Sequence, residues 1–176
     1  MNPKEIYEML VYQKMVSEHP SSYRRDPEQF DRAFKPLGKF PAIRSAAQLE
    51  KVIVNYIKMM GHSASKVSTQ GTYLKGKKTV STNVLGHKYV NQESGKYMPG
   101  GGRKGASDIS ATVYGLSVMI EVKFSKGDRL SKEQKAYAAE IQNAGGFFMV
   151  AHRFEDFFEK FKELLDHPKM VLLASM

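Results

Sequence analysis

The chain has 176 residues, of which 41% are hydrophobic, with no cysteine and a formal net charge of +9. That suffices for one sizeable core and is too apolar for a disordered chain. The missing thiols exclude disulfides and thiolate metal sites, leaving oxygen or imidazole to hold any metal, and they fit a reducing, cytoplasmic setting (host cytoplasm if the chain is viral).

Residues 3–16 read as a helix whose apolar face includes Ile6, Met9, Leu10 and Val11. Pro20, Pro27, Pro36 and Pro41 break the stretch from Ser17 to Arg44. A short helix at 27–34 is expected there, with Asp26 as N-cap and Pro27 at the first helical position. Residues 1–44 therefore read as a helical appendage, and 45–176 as the main domain. The early acid at Glu5 and the lack of an apolar run with a cleavage site do not match a secretory signal. No stretch approaches the ~20 apolar residues of a membrane span.

A stronger helix is predicted from Ser45 to about Met60, because Leu49, Val52, Ile53, Tyr56, Ile57 and Met60 recur at helical spacing. Residues 64–91 are rich in Thr, Val, Tyr and Ser, with Gly71, Gly76 and Gly86 between them, and read as short strands or hairpins. Charge is concentrated in the same part of the chain. Between His62 and Lys104 stand eight Lys or Arg against one acid, Glu93. A one-sign stretch of this kind suits a polyanion, most simply nucleic acid.

The glycine run 100–102 reads as a flexible loop that lets a backbone approach a ligand. Arg103 and Lys104 follow it and are candidates for phosphate contact. Lys75, Lys77 and Lys78 are candidates for a second contact on a hairpin arm. Next, Asp108 to Tyr114 alternates as a strand, Gly115 marks a turn, and Ser117 to Phe124 reads as a second strand with Val118, Ile120, Val122 and Phe124 on its core face. A helix from Ser131 to Asn143, a buried strand from Phe147 to Ala151, a helix from Phe154 to Leu165 and a last short strand from Met170 to Ala174 complete the reading. The class is α/β, a small mixed sheet flanked by helices.

Glu121 and Lys123 are two apart on a strand and so project to one side. Mid-strand charges need partners. Asp108 lies across the turn on the neighbouring strand. Two acids and a lysine so placed can hold a divalent cation, bind a phosphate and stabilise developing negative charge. The ordinary alternative is a solvated hairpin face. A second Glu-x-Lys, Glu133 and Lys135, falls on a predicted helix, where residues two apart diverge by about 200° and cannot focus on one ion. Gln134 has two readings: a capping box with Ser131, or a side chain at the active site. Tyr137 reads as core packing. His62, His87 and His152 read as structural or phosphate-contacting.

The run Gly105-Ala106-Ser107-Asp108-Ile109, then Ile120-Glu121-Val122-Lys123, then Leu130 to Gln134, then Gly145-Gly146 resembles the PD-(D/E)xK nuclease superfamily. It is most similar to the VRR-NUC branch and its phage and Holliday-junction-resolvase-like relatives. Ser107 stands where the superfamily name has proline. The resemblance implies a restriction-endonuclease-like core and Mg²⁺ or Mn²⁺ as cofactor. Asp108 and Glu121 would be metal-binding acids, with the Val122 carbonyl a further ligand and Glu50 the helical acid. Lys123 would be the catalytic lysine, with Gln134 near it. The implied activity is phosphodiester hydrolysis, with DNA favoured over RNA and a branched or structured DNA favoured among DNAs. A homodimer would follow by analogy with enzymes that cut two strands. The alternative is a nucleic-acid-binding module of the same fold without turnover.

Overall fold

A computed structural model describes residues 1–34, 36–67, 72–82, 85–92, 94–98, 102–125 and 127–175. Gly71, Glu93, Gly100 and Gly101, named above, lie outside the described residues. Four strands form the main sheet: β1 (Ser63–Lys66), β6 (Ile109–Val113), β7 (Leu116–Val122) and β8 (Phe147–Ala151), in the order β1-β6-β7-β8. The first two pairings are antiparallel, and β7 pairs with β8 in parallel. A parallel neighbour requires a crossover, which α5 (Lys132–Asn143) provides. Between β1 and β6 the chain leaves the sheet and forms two further two-stranded sheets. One pairs β2 (Thr72–Leu74) with β5 (Lys96–Met98), and the other pairs β3 (Lys78–Thr82) with β4 (Lys88–Gln92).

The expected helices form for the expected reasons. α4 (Ala46–Met59) starts at Ser45, whose hydroxyl accepts from the Gln48 N–H, and buries Leu49, Val52, Ile53, Tyr56 and Ile57. α6 (Phe154–Leu165) buries Phe154, Phe157, Phe161 and Leu164. These two stripes meet around Tyr56, which makes edge contacts with four α6 phenylalanines. Ile109, Ala111, Val113, Val118 and Ile120 complete this core from the sheet.

The N-terminal stretch holds α1 (Pro3–Glu18), α2 (Pro20–Arg25) and α3 (Pro27–Phe34). Asp26 accepts from the Gln29 N–H at the start of α3, as the sequence suggests. α2 was not anticipated, because Pro20 reads as a breaker whereas it sits here at the first position of a helix. α1 shares the main core: Tyr7 is 6% exposed and packs on Phe40 and Phe154.

Three expectations are corrected. Residues 170–174 form no strand but most of a helix, α7 (Pro168–Ala174); a short apolar run does not distinguish the two by periodicity. Strand β7 ends at Val122, so Phe124 leaves the core face and is 36% exposed. In β8 only Ala151 is fully buried.

The turn at Tyr114-Gly115 sets the geometry that matters most. Both residues have positive φ, 47° and 80°, the signature of a two-residue hairpin turn whose twist matches its strands. Tyr114 adopts this conformation without being glycine, its ring packed edge-on against His62. The turn pairs Val113 with Leu116 and carries the register to Ile109 opposite Ile120. Continued by one residue, that register sets Asp108 opposite Glu121.

Candidate active site

Asp108, Glu121, Val122, Lys123, Gln134 and Glu50 all line one open cleft of about 700 Å³. Asp108 Oδ2 accepts from the Val122 main-chain N–H at 2.8 Å, which fixes its side chain to the neighbouring strand. Ser107, just before it, is 1% exposed and donates its hydroxyl to the Ile109 carbonyl at 3.2 Å. The serine thus satisfies its own polarity inside the core.

Glu121 is 2% exposed. Its Oε1 meets the Lys123 ammonium at 2.9 Å and also accepts from Gln134 Nε2. Burial pushes the Glu121 carboxyl above its ordinary value. The Lys123 hydrogen bond opposes this, the Asp108 charge adds to it, and the Gln134 hydrogen bond opposes it again. Lys123 has a side chain only 15% exposed. Its main chain extends the ladder by donating to the Ala151 carbonyl at 2.9 Å.

The two readings of Gln134 hold together. Its Oε1 accepts from the Ser131 N–H and its own N–H donates to the Ser131 hydroxyl, completing the capping box. Its Nε2 remains for Glu121. Glu50, on α4, is 7% exposed and in ion-pair contact with Lys66 of β1. Glu50 Oε2 is thus taken by the Lys66 ammonium, and among the described residues no donor reaches Glu121 Oε2. Two buried carboxylates on the wall of one cleft, one of them with an oxygen that no donor reaches, are chemically suited to a hard divalent cation. Among the described residues no three His, Asp or Glu side chains are gathered as a ready metal cluster. The cause is visible: Glu50 turns to Lys66, Asp108 to Val122, and Glu121 to Lys123 and Gln134.

The basic candidates separate. Lys104 lines the cleft. Arg103 does not: its guanidinium is bidentate on Glu140 of α5 and stacks over Tyr137. Arg103 thereby pins the loop to α5, and half-buried Tyr137 is its platform rather than a core residue. Lys75, Lys77 and Lys78 are exposed on the excursion between β1 and β6, and none lines the cleft. Glu133 and Lys135 are both exposed on α5; Glu133 lines the cleft and Lys135 does not, in keeping with their divergence on the helix.

Two residues of the site escaped the sequence: Lys66 pairs with Glu50, and Arg129 lines the cleft. His152, read as structural or phosphate-contacting, sets its Nδ1 2.8 Å from the Lys123 carbonyl oxygen. Their placement depends on strand pairing and helix packing, for which no local signal exists. No helix among the described residues is long and apolar enough to cross a membrane. No protein-family profile matches the chain, and no curated protein or solved structure is significantly similar to it.

Proposed function

We propose that the chain is a divalent-cation-dependent nuclease of the PD-(D/E)xK kind, acting on branched or otherwise structured DNA. Its mixed sheet and flanking helices are read as a restriction-endonuclease-like core. The observation that carries the reading is the convergence of Asp108, Glu121, Lys123 and Gln134 with Glu50 on one cleft. Segments far apart in the chain supply them, and solvated surface charges have no reason to converge in this way.

Glu50, Asp108, Glu121 and the Val122 carbonyl would hold Mg²⁺ or Mn²⁺, which supplies charge neutralisation and a more acidic water. The chain does the rest. Lys123 holds a positive charge beside the phosphate, where it orients the attacking water and stabilises developing negative charge. Glu121 keeps Lys123 in place through their ion pair. Gln134 holds Glu121 from the other side. Lys104, on the cleft wall, neutralises a neighbouring phosphate.

The test is a cleavage panel of plasmid, single-stranded and four-way-junction DNA with Mg²⁺, Mn²⁺ or a chelator. Metal-dependent cleavage is expected, lost in Asp108→Ala and reduced roughly 10²-fold or more in Lys123→Met. Uncut substrates throughout, or undiminished cleavage by Asp108→Ala, overturn the reading. One observation favours a binding module without turnover: Glu50 and Glu121 already carry lysine partners. That alternative gives salt-sensitive binding and no cleavage.

A further inference from the structure

From β2 to β5 the chain is almost purely basic. Lys75, Lys77, Lys78, Lys88 and Lys96 stand there against one acid, Glu93. The β3–β4 ribbon within this stretch has no large packing surface: neither strand packs extensively on any other element among the described residues. A lone two-stranded ribbon is marginal in water and gains from a partner.

The register defines a face on this ribbon. Val80 lies opposite Val90, and the two are 65% and 61% exposed. Residues two apart on a strand share a side, so Lys78 flanks Val80, and Lys88, opposite Thr82, flanks Val90. Both lysines are exposed. An apolar pair therefore stands between two ammonium groups at diagonal corners of one face.

Charge and size together select the occupant. A second copy of this face would bring lysines toward lysines, which like-charge repulsion opposes. A nucleic-acid duplex offers phosphates to both. The lysines are four positions apart along the ribbon and one strand apart across it, so their backbones are about 14 Å apart. The major groove of B-DNA is about 12 Å wide and admits a two-stranded ribbon. A ribbon lying there sets one lysine against the phosphates of each wall. Its apolar middle meets base edges, where the thymine methyl is the apolar group. A single strand has no such pair of walls.

We propose that the β3–β4 ribbon docks in the major groove of a duplex arm of the substrate, with Lys78 and Lys88 on phosphates of opposite strands and Val80 and Val90 against thymine methyl groups. This rests on the nuclease reading and sharpens its substrate class: a structured DNA with an intact duplex arm outside the cleft.

The test uses the full chain carrying Asp108→Ala, which prevents cleavage, and a four-way junction whose thymine-rich arms hold a few guanines. Binding is expected to shield guanine N7, a major-groove atom, from dimethyl sulfate in at least one arm. The same junction built with uracil, which lacks the methyl, binds more weakly. Adding Lys78→Ala and Lys88→Ala removes the shielding and lowers the slope of log affinity against log salt by about two. Adding Val80→Ser and Val90→Ser removes the preference for thymine over uracil. A parent that binds without shielding N7, or binds both junctions equally, overturns the proposal, as does a lysine variant with the parental salt slope. So does a parent dimer that the valine changes convert to monomer in light scattering, which assigns the face to a second copy. Junction cleavage by the wild type is read separately. Cleavage without shielding removes the ribbon site and leaves the nuclease, and shielding without cleavage does the reverse.

Discussion

Gln134 donates from Nε2 to Glu121 Oε1 while its own Oε1 accepts from the Ser131 main-chain N–H at 2.9 Å. One amide therefore begins helix α5 and anchors the buried acid of the cleft. Its two ends are not interchangeable, because only nitrogen can donate to a carboxylate.

The first prediction separates those ends. Gln134→Ala removes the capping contact and lowers stability by about 1 kcal/mol. It also lowers cleavage by roughly 10-fold or more, the usual scale for a residue that orients a metal-site ligand. Gln134→Glu can still cap Ser131 but sets a second carboxylate against Glu121. Its cleavage is expected to fall at least as far, and the repulsion between the two carboxylates adds to its loss of stability. Urea denaturation and initial rates, compared for the two variants, check this. Wild-type cleavage by Gln134→Glu removes the assigned role.

The second concerns pH. The Glu121 carboxyl in the folded protein lies above its ordinary value because it is buried. Between the unfolded value and this raised one, the folded state holds more protons. Stability from this group is therefore complete below the unfolded value and is lost as pH rises through the folded value. Glu121→Gln removes that loss. Its Tm is expected to exceed the wild-type Tm at pH 7, with the two converging on acidification, while metal-dependent cleavage disappears. A lower Tm for Glu121→Gln at pH 7 contradicts the burial account. Divalent cation should raise the wild-type Tm and leave that of Glu121→Gln much less changed.

The third compares two glycines. Gly105 has φ of +80°, and a Cβ there would lie 2.5 Å from the Glu133 main-chain carbon. Gly115 has the same φ with nothing within 4 Å. Gly115→Ala is expected to cost about 1 kcal/mol from backbone strain alone. Gly105→Ala costs more, about 2 kcal/mol or above, because the loop must also move off the start of α5. That movement shifts Lys104 and Asp108, so cleavage falls with it. Equal losses in a denaturation series reject the close-approach explanation.

The fourth places α1. Tyr7 is buried against Phe40 and Phe154, and burial pushes its hydroxyl above the usual tyrosine value. Tyr7→Ala leaves a cavity in the shared core and is expected to lower stability by about 3 kcal/mol. If α1 were independent of the core, the unfolding midpoint of residues 45–176 would be unchanged.

By itself, the sequence determined the elements and much of the candidate site. The helical stripe of α4, the alternation through β6 and β7 and the turn at Gly115 are local patterns, and local patterns decide which side of an element is apolar. Glu121 and Lys123 share a side for the same reason, and Glu133 and Lys135 do not. The failures were also local: a short apolar run was read as a strand where α7 forms, and β7 was extended two residues too far. Tertiary structure alone decided the partners. The β6–β7 register set Asp108 opposite Glu121, the parallel pairing of β7 with β8 brought His152 to the Lys123 carbonyl, and packing of α4 on β1 gave Glu50 to Lys66. It also paired Arg103, a candidate for phosphate contact, with Glu140. Such contacts join residues far apart in the chain. Their distances depend on register and packing angle, neither of which is written in the periodicity of any one segment.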